Sequence, residues 1–165
     1  MSAGRPPAAS EGATRELRAE TVVDATPEQV WSVLADLARM PELSDETVRM
    51  LPLKKGGLRP GQWYLGINRR KAFVWPTRNV VATVDPARQL AWDTTSSGAR
   101  WIYELEPLDD ARTRVVHRRP VPAGRTTVLS RIVAPLALGG NEEHADELEA
   151  SMGETLRRLK DAVEG

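Results

Sequence analysis

The chain has 165 residues, of which 41% are hydrophobic and 28% charged, and its 23 basic side chains balance its 23 acidic ones. That length suits one domain with its own core, and the composition is too apolar for a disordered chain. Zero net charge supplies no general field for nucleic acid or an anionic membrane, and a chain without cysteine has no disulfide, thiolate nucleophile or Cys-ligated zinc.

Residues 1–14 lack the apolar core of a signal peptide and read as a flexible tail, with a single domain expected over 15–165. No apolar run is long enough to span a bilayer, so a cytoplasmic location is the default expectation. Residues 15–24 alternate and carry β-branched side chains, the pattern of an opening strand. A helix start follows, with Thr26 as cap, Pro27 in the first position and Gln29 completing a capping box. Val30, Trp31, Val33, Leu34 and Leu37 give this short helix an apolar face, and Met40 to Ser44 suggest a second short helix.

From Glu46 to Arg119 the period changes to two. Six segments read as strands, separated by turn signals at Gly56-Gly57, Pro60-Gly61, Asp85-Pro86, Ser97-Gly98 and Asp109-Asp110. Spacings this short predict an antiparallel meander, since parallel crossovers need a dozen or more residues. Residues 128–138 form the most apolar stretch, broken by Arg131 and Pro135. A long amphipathic helix is then expected from Asn141, with Ala145, Leu148, Met152, Leu156, Leu159 and Val163 on one face. The order predicts an α+β fold: an antiparallel sheet of about six to seven strands curled around the C-terminal helix, with two short helices after the first strand.

Gly61-Gln62-Trp63-Tyr64-Leu65-Gly66-Ile67-Asn68-Arg69, followed by Trp75 and Thr77, resembles the G-x-x-(aromatic)-x-G-x-N-R…W-x-T pattern of bacterial SRPBCC proteins. This is the START-like, helix-grip superfamily, and the resemblance is to its polyketide cyclase/dehydrase and lipid transport subgroup. Residues 26–44, 100–107 and 154–165 resemble its first helix pair, penultimate strand and last helix. His117 stands where the family usually carries a glutamate.

Alternation groups Tyr64, Gly66 and Asn68 on one face, and likewise Trp75, Thr77, Asn79 and Val81 on the next strand. Leu90, Trp92 and Thr94 pair with Trp101, Tyr103 and Leu105, and the last strand offers Thr113, Val115, His117 and Arg119. The resemblance turns these sets toward the helix. Tyr64, Asn68, Trp75, Thr77, Trp92, Trp101, Tyr103, His117 and Arg119 then become ligand-binding candidates lining an aromatic interior with a few polar groups.

Each has an ordinary reading beside it. Asn68 can hold a ligand carbonyl or bond a neighbouring polar group. His117 can serve as acid or base with Tyr103 beside it, or be a satisfied core histidine, and no Ser, Cys or Asp partner stands at a diagnostic spacing. The tryptophans can stack on a ligand or fill the core. Arg69-Arg70-Lys71 and Arg118-Arg119 can meet as a basic patch or be solvated turns. His144, among glutamates, reads as a surface residue.

No metal set, phosphate loop, nucleophile elbow or dinucleotide fingerprint is present, so no metal or cofactor is expected. Binding of an apolar small molecule such as a lipid or polyketide is the leading expectation. A cyclase or dehydratase acting through Asn68, Tyr103, His117 and Arg119 is the second, and an interaction module using residues 128–138 the third. Nucleic acid is not an expected partner, and the sequence sets no oligomeric state.

Overall fold

The computed structural model describes residues 15–120 and 141–165, with side chains from 145 onward in the second segment. The expected tail at 1–14, the apolar stretch 128–138 and the side chains of Asn141 and His144 lie outside these residues.

Seven strands form one antiparallel sheet: β1 (Leu17–Val23), β2 (Thr47–Pro52), β3 (Trp63–Arg70), β4 (Phe73–Asp85), β5 (Gln89–Thr94), β6 (Ala99–Pro107) and β7 (Thr113–Arg119). Their order is β1-β7-β6-β5-β4-β3-β2, so β1 and β2 are the free edges and the sheet does not close. Helix α1 (Pro27–Leu34), a 3-10 turn (Leu37–Arg39) and α2 (Met40–Leu43) follow β1, and α3 (Asn141–Glu164) ends the chain. This is the helix-grip arrangement expected from the element order.

The local signals explain the elements. Thr26 accepts a hydrogen bond from the Gln29 amide at 3.3 Å, while the Gln29 side chain accepts from the Thr26 amide at 2.9 Å. Two otherwise orphaned donors of α1 are thereby satisfied. Thr26→Ala should therefore cost about 1 kcal/mol in urea unfolding. Pro76 interrupts no ladder. The β4–β5 pairing begins only at Asn79 with Thr94, so Pro76 lies where β4 runs past β5 and its missing N–H has no strand to meet.

The core sits at one end of the sheet. Val81, Leu90, Leu105 and Val115 cluster there with Val23, Val30, Leu34, Leu37 and Leu43, and Leu156 and Leu159 of α3 cover them. A smaller cluster, Leu17 with Ala145 and Met152, joins β1 to the first half of α3 and takes in Ala19, Trp101 and Leu148 at its margin. Helix α3 makes its closest backbone approach to β1. The opposite end of the inner face, beyond the core, carries the β3–β4 and β5–β6 turns, the last residue of β7 and a row of polar side chains.

Candidate functional site

Register brings the expected inner-face residues into two intersecting rows. The first is aromatic. Trp92 stacks on Tyr103 with ring centroids 5.6 Å apart, Tyr103 lies 3.9 Å from His117 at 12°, and Trp101 lies 5.7 Å from His117. The Arg119 guanidinium ends this row, with its Cζ 5.4 Å from the Trp101 ring centroid. Tyr103 and His117 are direct cross-strand partners, while Trp92 meets Tyr103 and Trp101 meets His117 on the diagonal.

The second row is polar and crosses five strands. Trp101 Nε1 donates to Thr94 Oγ1 at 3.2 Å, and Thr94 Oγ1 donates to Asn79 Oδ1 at 2.7 Å. The amides of Asn79 and Asn68 donate to Thr77 Oγ1 at 3.3 and 3.0 Å, and Thr47 Oγ1 donates to Asn68 Oδ1 at 3.1 Å. Asn68, Asn79 and Thr94 are all buried, so leaving any of these groups unpaired would be costly. An amide carries two N–H donors, and Asn68 spends one on Thr77.

Gly66 makes this convergence possible. A Cβ at this position would lie 2.6 Å from Thr77 Oγ1 and 3.0 Å from Asn79 Nδ2. Gly66, Asn79, Thr94 and Thr47 were not among the binding candidates, although the first three already fell on the expected inner face. What singles them out is cross-strand pairing, which no single segment displays.

The remaining candidates separate. Tyr64 and Trp92 belong to the main core cluster, and Trp101 packs at its margin. Trp75 is half-buried and stacks on Phe73 at 5.7 Å. Trp31 packs against the core, whereas Trp63 is flanked by Arg78 and Lys54. The two basic runs do not join. Arg118 pairs with Glu104 and Glu16, Arg70 pairs with Glu147, and Arg119 turns to the inner face.

His117 is 3% exposed, and its Nδ1 lies 3.0 Å from the carbonyl oxygen of Ile102. The carbonyl can only accept, so Nδ1 carries the hydrogen and Nε2 is left as an acceptor. Burial, only partly offset by that hydrogen bond, pushes the imidazole down from 6.5 to about 4. It is neutral at pH 7. Burial also pushes the Tyr103 phenol up, which keeps its hydroxyl protonated.

At the same end of the molecule a cleft of about 270 Å³ is lined by Asp45, Glu46, Arg69, Arg70, Lys71, Glu147, Leu148 and Ser151. Leu148 links this cleft to the Leu17 and Trp101 cluster. Burial raises the Glu46 carboxyl, with Asp45 adding to the effect and Arg70 opposing it. Among the described residues no group of three or more His, Asp or Glu could hold a metal, and no helix is long and apolar enough to cross a membrane.

A family model described as polyketide cyclase / dehydrase and lipid transport matches residues 14–164. Among solved structures, the Zhui aromatase/cyclase from Streptomyces sp. R1128 is 21% identical with a TM-score of 0.59, over 91% of this chain and 93% of that one. The polyketide-cyclase-like protein Cgl2372 from Corynebacterium glutamicum is 23% identical with a TM-score of 0.57, over 92% and 93%. Protein NE0264 from Nitrosomonas europaea is 15% identical with a TM-score of 0.66, over 92% and 96%. At these identities the likeness speaks for the fold alone. None of the curated proteins compared matches the sequence significantly.

Proposed function

Since this chain belongs to the polyketide cyclase/dehydrase and lipid transport family, we propose that it binds an apolar small molecule, a lipid or polyketide, between the concave face of its sheet and α3. The observation that carries this reading is the crossing of the two rows. A continuous aromatic stack runs from Trp92 in the core to Trp101 at its margin, where it offers flat apolar surface, and the row from Trp101 to Asn68 runs beside it with a second Asn68 N–H that no described residue takes up. Apolar walls with a few placed polar groups are the usual make-up of a small-molecule site.

The chemistry of the rows favours binding over turnover. A general base works best with a pKa near the working pH, and the His117 imidazole is held at about 4. Its Nδ1 hydrogen is committed to a backbone carbonyl. What remains is positioning: rings to stack on and an amide to meet a carbonyl or hydroxyl.

Titration with N-phenyl-1-naphthylamine, read by its own fluorescence and by quenching of tryptophan emission, tests the reading. Saturable binding with one probe per chain is expected, and Trp101→Ala should weaken it several-fold, up to about tenfold, the effect of losing one stacking partner of about 0.5–1.5 kcal/mol. Absence of saturable binding, together with a native mass spectrum free of any retained apolar molecule, would sink the proposal. Chemical conversion of a bound poly-ketone would replace it with the cyclase or dehydratase reading.

A further inference from the structure

Arg119 is a buried cation with nothing to neutralise it among the described residues. It is the last residue of β7 and only 8% exposed, and its Nε is fully buried with no hydrogen-bond partner. Its neighbour across β1 is Leu17, which is wholly buried, and its guanidinium lies over Trp101. A cation–π contact of this kind offsets only part of the cost of removing a guanidinium from water. Burial alone accounts for the downward shift of its pKa, with no carboxylate opposing it.

The sheet had carboxylates to offer and spent them elsewhere. Arg118, one position earlier and on the opposite face, takes both Glu104 and Glu16, and Arg100 takes Asp93. On the inner face, β1 and β3 to β7 place Leu17, Ala19, Tyr64, Asn68, Asn79, Thr94, Tyr103 and His117, and no acidic residue. Arg70, the other charge on this face, is paired with Glu147 of α3, and His117 is neutral at pH 7, so Arg119 is the inward charge of these strands that has no partner among the described residues. A lone buried charge is normally removed or paired, because leaving it uncompensated costs several kcal/mol.

We propose that Arg119 is the anchor for an anionic group on the bound molecule, so that the ligand class is an amphipathic acid with an apolar body and a carboxylate. The proposal rests on the binding reading above and adds the charge of the ligand to it. The guanidinium presents N–H groups in a planar fork that matches a carboxylate edge to edge. Trp101 holds the guanidinium from one side while donating its own N–H to Thr94, so the carboxylate end of the ligand meets the end of the polar row. The apolar body then lies against Trp101, at the margin of the core, with the stack of His117, Tyr103 and Trp92 behind it.

A matched pair of ligands tests this: 1-naphthoate and 1-naphthamide, which share a ring system and differ in charge. Each is titrated against the N-phenyl-1-naphthylamine complex, with wild type, Arg119→Gln and Arg119→Lys. Naphthoate is expected to displace the probe at least about tenfold more tightly than naphthamide, one good charge-assisted contact. Arg119→Gln should abolish that preference by weakening naphthoate far more than naphthamide, and Arg119→Lys should keep part of it. Equal displacement by both ligands in the wild type overturns the anionic anchor and leaves apolar binding standing. Failure of the probe itself to bind removes both. If Arg119→Gln does not fold, the wild-type comparison and Arg119→Lys still decide. An undiminished naphthoate preference in a folded Arg119→Gln assigns the selectivity elsewhere and overturns the proposal.

Discussion

Gly66→Val is expected to destabilise the protein by about 3 kcal/mol and to abolish binding of the naphthylamine probe, although no residue of the aromatic row is touched. The first atom of the new side chain would fall 2.6 Å from Thr77 Oγ1 and 3.0 Å from the Asn79 amide nitrogen. Thr77 Oγ1 is where the amides of Asn68 and Asn79 converge, and it points back toward the Gly66 carbonyl oxygen at 3.5 Å. Displacing that hydroxyl strands two buried amides at once. Overpacking costs about 1–3 kcal/mol and each stranded polar group about as much again, less whatever the backbone relieves by shifting. Gly66→Ala should show a milder form of the same defect. Urea unfolding followed by tryptophan fluorescence reads the stability and probe titration reads the site. A Gly66→Val protein with wild-type stability and probe affinity would mean that the polar row is not held as described.

The second large effect is an acid sensitivity centred on His117. Its folded-state value of about 4 lies below the 6.5 of an unperturbed imidazole. Above pH 6.5 the ring is neutral in folded and unfolded chains alike, and the full stability is present. Between 6.5 and about 4 the unfolded chain takes up a proton that the folded chain refuses, so stability falls as the pH falls, by up to about 1.4 kcal/mol per pH unit. Below about 4 both states bind the proton and the loss, about 3 kcal/mol in total, is complete. Between pH 7 and pH 5 the wild type should therefore lose about 2 kcal/mol that His117→Gln does not lose. The comparison isolates His117 from the carboxylates. The Glu154 carboxyl, held at about 2 by Arg157 and Arg158, weakens the fold only at lower pH, and Glu46, raised by burial, acts in the opposite direction. Equal pH profiles for the two proteins would show that the imidazole is not held neutral by the fold.

These effects trace to features of different legibility. The capping box at Thr26 and Gln29, the period-two segments from Glu46 to Arg119 and the helical face from Ala145 to Val163 are local, and each is written in a few neighbouring residues. Strand alternation also assigned the faces: Tyr64, Gly66 and Asn68 are buried together, as are Asn79 and Val81, and as are His117 and Arg119. Alternation cannot tell which inward residues seal the core and which border open space. Tyr64 and Trp92 went to the core and Asn79 and Thr94 to the polar row, because the core occupies one end of the sheet and the turns of β3–β4 and β5–β6 the other. The two basic runs, alike on paper, were divided by pleat and partner: Arg118 faces out onto Glu104 and Glu16, and Arg119 faces in.

The sequence by itself determined the elements, their order, the antiparallel sheet around a C-terminal helix and the face on which each strand residue lies, since these follow from periods and turn residues a few positions apart. Only the tertiary structure decided that Trp101, Thr94, Asn79, Thr77 and Asn68 form one hydrogen-bonded row, that Gly66 leaves room for it and that Arg119 has no counter-charge among the described residues. Each of these depends on the register between strands that are distant in sequence, and a charge is unpaired only with respect to everything folded around it.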